Sequence, residues 1–174
     1  MLIVTKKIKI ILDRKGVTQY KLAQLIDYSS GNLANNFRGG RPFPNHVIEK
    51  IAPILEVSAD EIRGWILADK YSKEILELAV KAKKEKQDNK RILTSKIDEI
   101  LQSKNLSRTA LSKVIDYSQG RLNEIIIGKK TMSKSVLNKL SAALEIPETE
   151  ITSWIVADKY SLKALETAIN ILVS

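Results

Sequence analysis

The stretch TQYKLAQLIDYSSGNLANNFRGG, Thr18–Gly40, decides the fold of this chain. Thr18 stands where a hydroxyl can accept a hydrogen bond from the first turn of a helix, and Ser29 stands in the same position before a second helix. Leu22, Ala23 and Ile26 recur at three- and four-residue spacing and mark one inner face. Ala23 is small, as a site of close helix–helix approach requires. Between the two segments Asp27-Tyr28-Ser29 leaves room only for a tight turn, and Asp tolerates left-handed backbone better than most residues. Leu33 and Phe37, one turn apart, mark the inner side of the second helix, and Gly39-Gly40 closes it. The stretch predicts two short helices joined by a tight turn.

The chain states this unit twice. With a shift of 89 residues, residues 5–80 lie over residues 94–169 without a gap, and 30 of those 76 positions are identical. IDYSSGNL (Ile26–Leu33) matches IDYSQGRL (Ile115–Leu122), and WILADKYS (Trp65–Ser72) matches WIVADKYS (Trp154–Ser161). Two copies of one folding unit follow, each of about 80 residues, enough for a modest core and too few for a solenoid. The expected organisation is a first domain over 1–80, a basic linker over 81–93 and a second domain over 94–174. Helices are expected near 5–15, 18–26, 29–37, 45–55, 59–70 and 72–85, and again near 94–104, 107–115, 118–126, 134–144, 148–159 and 161–172. Thr5, Thr94, Ser107, Ser118, Ser72 and Ser161 stand at further N-cap positions. Pro53 falls inside an expected helix.

Net charge is +9, with +5 over residues 1–89 and +4 over residues 90–174, so both halves suit a polyanionic partner such as nucleic acid. The absence of cysteine excludes a disulfide frame and thiolate metal sites, and it fits a reducing cytoplasm. No run approaches the ~18 apolar residues of a membrane helix, and MLIVTKKIKIIL does not read as a signal peptide. The segment KAKKEKQDNKR, Lys81–Arg91, holds six basic residues in eleven and no apolar face. If 72–104 formed one unbroken helix it would span about 50 Å.

Taken as a whole, Thr18–Gly40 resembles the helix-turn-helix of the lambda-repressor and Cro-like (XRE) family. That family has Gln early in its second helix, a small residue within it, Ser opening the recognition helix, and Gly after a basic residue to close it. Gln19, Ala23, Ser29, Arg38 and Gly39 stand at those places. HVIEKIAPILEVSADEI, His46–Ile62, resembles the family's fourth and fifth helices, and EIPETEI in copy two repeats the closing pattern. The resemblance covers residues 5–64 and 94–153. It departs from the family at the turn, where Asp27 and Asp116 replace glycine; at Asn36, where an aliphatic residue is usual; and at Arg108, where copy one has Gln19. It implies an all-α chain of two tandem lambda-repressor-like domains, each of five helices plus an extra C-terminal helix.

The resemblance also implies binding of double-stranded DNA, because a recognition helix fits the major groove with its N-terminal residues at base edges. The expected contact residues in copy one are Gln19, Ser29, Ser30, Asn32, Asn35, Arg38 and Arg41. In copy two they are Arg108, Ser118, Gln119, Arg121, Glu124, Lys129 and Lys130. Asn and Gln pair with adenine, Arg with guanine, and Glu accepts from cytosine. The inner positions agree between copies (Leu22/Leu111, Ile26/Ile115, Leu33/Leu122, Ile62/Ile151, Trp65/Trp154), while the reading positions differ (Gln19/Arg108, Ser30/Gln119, Asn32/Arg121, Asn35/Glu124). Either unlike half-sites are therefore expected, read by a homodimer or by an intramolecular pseudo-dimer, or only one half reads. The alternative is a protein-interaction adaptor or antitoxin-like module on the same fold.

The segment WILADKYSKEILELA and its repeat carry apolar residues at helical spacing, expected to complete the core of their own copy; the sharper reading has them join copies or chains. The Asp69-Lys70 and Asp158-Lys159 pairs are expected to support a local turn or an ion pair. An enzyme is not expected. His46 is the only histidine and no glycine-rich phosphate loop is present. Neither a cofactor nor a metal is called for.

Overall fold

The computed structural model describes residues 1–86 and 89–174, in twelve helices with no strand among them. The first copy contributes α1 (Ile3–Arg14), α2 (Gln19–Leu25), α3 (Ser30–Arg38), α4 (Asn45–Leu55), α5 (Ala59–Lys70) and α6 (Lys73–Lys84). The second contributes α7 (Ile92–Ser103), α8 (Arg108–Val114), α9 (Gln119–Ile126), α10 (Lys134–Leu144), α11 (Glu148–Lys159) and α12 (Leu162–Leu172). No described helix is long and apolar enough to cross a membrane. Residues 72–104 do not form one unbroken helix: α6 ends at Lys84 and α7 begins at Ile92, as the separate helices expected near 72–85 and 94–104 require. Of the expected linker, 81–84 belong to α6 and 92–93 to α7, and Gln87 and Asp88 lie outside the described residues.

Turn chemistry sets the helix ends. Thr18 accepts from the Lys21 amide and Ser107 from the Ala110 amide, as their positions predict. Ser29 and Ser161 accept from Asn32 and Ala164. Ser118 occupies the matching position before α9, but its hydroxyl makes no capping bond. Asp27 and Asp116 sit at φ 49° and 46°, the left-handed backbone that the missing turn glycine would have taken. Pro53 lies inside α4, on its exposed side.

Thr5 and Thr94 are not caps. Both lie inside their helices, and their hydroxyls donate to Phe37 O at 2.7 Å and Ile126 O at 2.9 Å. The first-helix amides are capped from far along the chain instead. The Asp69 carboxylate accepts from Ile3 N (2.7 Å) and Val4 N (3.0 Å), and Asp158 accepts from Ile92 N (2.8 Å) and Leu93 N (3.1 Å). A carboxylate at a helix N-terminus satisfies free amides and meets the positive end of the dipole. The repeated ADKY sequence thus closes the first helix of its own copy.

The chain divides into two compact units whose limits differ from the sequence repeat. One is Met1–Lys73 with Ser161–Ser174; the other is Glu74–Tyr160. The first unit is α1 to α5 closed by α12, and the second is α6 with α7 to α11. This departs from the expected 1–80 and 94–174, because the last helix of each copy does not close its own copy. In the first unit Ile8, Leu22, Leu33, Val47, Ile51 and Ile62 form a core with no exposed surface, and Trp65 joins it. Helix α12 buries Ala164, Leu165 and Ala168 against that body. In the second unit Ile97, Leu111, Leu122, Leu140 and Ile151 take the corresponding places, and α6 buries Leu76 and Ala79. The Lys83 ammonium donates to Ala157 O on α11 at 2.7 Å.

Candidate nucleic-acid interface

Each copy brings a short helix and the next one together across a four-residue turn. In the first, Leu22 and Ala23 of α2 and Leu33 of α3 are buried, and the Tyr28 amide donates back to Ala23 O at 3.0 Å. In the second, Leu111, Ser112 and Leu122 are buried, and Tyr117 N reaches Ser112 O at 2.9 Å. Ser112, in the place of Ala23, turns its hydroxyl onto Thr109 O, so a polar residue at this close approach leaves no unsatisfied donor. Lys50 from α4 donates to Ile26 O at 2.8 Å and Lys139 from α10 to Asp116 O at 3.3 Å, closing the turn from below. The bonds from Thr5 and Thr94 hold the far end of α3 and α9.

The pinned helices present their N-terminal turns to solvent. In copy one Ser29, Ser30 and Asn32 are exposed, Gln19 is half-buried at the start of α2, and Arg38 and Arg41 are exposed at and after the end of α3. Asn35 is not fully outward. It is half-buried, and its carbonyl oxygen lies against Gly40, where an added Cβ would be 2.1 Å away. Asn36, unusual for the family, is buried together with Phe37. Its amide donates to Arg41 O (3.2 Å) and Pro42 O (2.8 Å), fastening the loop that carries Arg41.

In copy two Ser118, Gln119 and Arg121 are exposed on the first turn of α9. Gln119 donates to Thr109 Oγ1 at 2.8 Å, which fixes its amide across the turn. Arg108 is engaged bidentately by Asp98, at 2.9 and 2.8 Å, so much of its hydrogen-bonding capacity is already used. Glu124 pairs with Lys130 at 2.6 Å. That hydrogen bond and charge, with help from Lys129 and Arg121, hold its carboxyl below the usual value. Lys129 and Lys130 are exposed beyond the helix, which ends at Gly128 with φ 81°. Gly39 has φ 80° at the same place in copy one.

Tyr20 escaped the sequence reading. It is 63% exposed beside Gln19, and with Gln24, Tyr28 and Ser30 it lines a notch of about 370 Å³ between α2 and α3. The available signal was an aromatic residue off the apolar face of α2. Arg91 was likewise missed. Its guanidinium lies where a Cβ on Gly128 would stand, with Nε 3.4 Å from Asp158, and so places a cation at the C-terminal end of α9.

A family model, the Cro/C1-type HTH DNA-binding domain, matches residues 96–157. That segment is similar to a Cro/C1-type helix-turn-helix domain. The matched segment takes in α8 and α9, the two helices joined by the tight turn, together with α10 and most of α7 and α11. The match likens this segment to a DNA-binding domain. No curated protein and no solved structure matches the chain.

Proposed function

We propose that this protein is a sequence-specific regulator of transcription that binds double-stranded DNA through two helix-turn-helix domains, with α3 and α9 entering major grooves. The observation that carries the reading is Arg121, exposed on the first turn of the recognition helix of the Cro/C1-type domain. Arginine there suits guanine O6 and N7. Gln119 beside it, pre-set by Thr109, suits adenine. In copy one Ser30 and Asn32 offer smaller, uncharged readers, so the two half-sites are unlike. Arg38, Arg41, Lys129 and Lys130 supply phosphate contacts whose affinity falls with salt. Glu124 enters as part of an ion pair with Lys130, which lessens its repulsion of phosphate. One chain supplies both readers, an intramolecular pair in place of a homodimer, acting in the cytoplasm on the genes it controls.

Selection of bound duplexes from a random library tests this. The expected winner has two unlike halves, one containing guanine that Arg121 reads. Arg121→Ala then costs about 1–3 kcal/mol on that site and relaxes the preference at one position only. No enrichment, or equal loss on all sequences, rejects the reading. A second reading, a protein-interaction adaptor, is favoured for copy one by its uncharged recognition turn beside Tyr20 and Leu25, 63% and 53% exposed. A single enriched half-site, lost on Arg121→Ala and untouched by Asn32→Ala, would select it for that copy.

A further inference from the structure

The segments after Tyr71 and after Tyr160 are repeats of one another, so α6 and α12 have the same apolar pattern and could each close either copy. Leu76 and Leu165 are both fully buried, as are Ala79 and Ala168. Yet α12, far along the chain, sits on α5 in the first unit, and α6 belongs to the second.

The two seats, Ala59–Lys70 and Glu148–Lys159, differ at five positions, of which two bear on this seam. Gly64 on α5 is replaced by Ser153 on α11, and Asp60 by Thr149. At Gly64 the backbones approach so closely that an added Cβ would stand 2.7 Å from Thr167 Cβ and 3.0 Å from Ala164 O. The helices differ at the matching places. α12 offers Ala164 and Thr167 where α6 has Ile75 and Leu78, and Lys163 where α6 has Glu74. Ser161 of the α12 cap donates to Asp60 at 2.7 Å, and the charge of Lys163 acts favourably on the same carboxylate. Were α6 in this seat, Leu78 and Ile75 would meet the closest approach, and Glu74 would face Asp60.

We propose that α5 is a docking surface coded by size and charge, in which Gly64 and Asp60 admit the Ala164–Thr167 face and Lys163 of α12 and reject α6. The first unit, with its recognition helix, is therefore complete only once the C-terminal helix of the same chain has been made and has docked. The code works by both attraction and exclusion: close packing has no room for added methylenes, and facing carboxylates repel.

Amide hydrogen exchange on the full chain tests it. Alanine is ordinarily the better helix former, so Gly64→Ala would slow exchange in α5 if nothing lay against it. The expected result is the opposite: about tenfold faster exchange over Leu162–Leu172 and over α5, with Lys73–Lys84 unchanged. Faster exchange in Lys73–Lys84 instead, or no increase in either helix, overturns the proposal. Should Gly64→Ala unfold the chain, Lys163→Glu decides at the surface. It is expected to speed exchange in α12 two- to fivefold at low salt, and Lys163→Arg is expected to leave it as it was. Unchanged exchange in Lys163→Glu, or a change confined to α6, overturns it equally.

Discussion

Asp69 and Asp158 hold the same post in the two copies, and each carries more than its place in the last turn of a tryptophan-bearing helix suggests. The Asp158 side chain is only 6% exposed, yet its oxygens accept from two backbone amides and lie beside Arg91. Removing a buried acceptor leaves its donors without partners, the costly form of a lost hydrogen bond. Asp158→Ala is expected to destabilise by about 2–3 kcal/mol. That appears as a fall of several degrees in the melting temperature and as fraying of α7 in amide exchange. Asp158→Asn keeps one acceptor and costs less. From the sequence these aspartates are expected in a local turn or ion pair, because their partners lie 65 and 66 residues away and leave no mark on nearby spacing. Thr5 was misread for the same reason: a threonine near a helix start is an N-cap by local rules, and only its buried contact with Phe37 O shows otherwise.

At the scale of the element, α3 and α9 are defined by their ends. Both close on a glycine at φ near +80°, and each glycine is also covered: Leu2 would meet a Cβ on Gly39 at 2.9 Å, and Arg91 occupies the space beside Gly128. Left-handed backbone costs a non-glycine residue about 1–2 kcal/mol. Gly39→Ala is expected to cost about that much, since the end of the Leu2 side chain can move aside. Gly128→Ala is expected to cost more by displacing Arg91 from α9, and chemical denaturation of the two variants compares them. The turn residues Asp27 and Asp116 were legible, because Asp is among the few residues that accept this backbone. The helix limits were also legible within two residues, since apolar period, caps and glycines all act within a few positions along the chain. The orientation of side chains on those helices was less so. Asn35 lies half inside against Gly40, and Arg108 is bound by Asp98, outcomes set by neighbours from other elements.

At the scale of the whole molecule, the α5–α12 seam makes stability depend on acidity. Burial by itself would raise the Asp60 pKa. The hydrogen bonds from Ser161 and Arg63, and the charges of Arg63 and Lys163, outweigh it and leave the group below its ordinary 3.8. A carboxylate with a lowered folded pKa contributes stability that is present above the ordinary value and is lost as pH falls below 3.8 through the folded value. Melting followed from about pH 6 downward is therefore expected to show a loss below 3.8 that Asp60→Asn does not share, since that variant lacks the contribution throughout. Its partner Arg63 also pairs with Glu49 of α4, so the same loss is expected to loosen α4 against α5.

The sequence by itself determined the helices, the turns between them and the duplication, because each rests on interactions between residues a few positions apart or on direct comparison of the two copies. Tertiary structure alone decided which last helix closes which copy, which carboxylate caps which first helix, and which of the basic residues near α3 and α9 remain engaged elsewhere. An apolar stripe states that a face must be buried but not against what. That choice falls to contacts such as Thr167 on Gly64 and Ser161 on Asp60, made by residues about a hundred positions apart whose sizes and charges have meaning only once they meet.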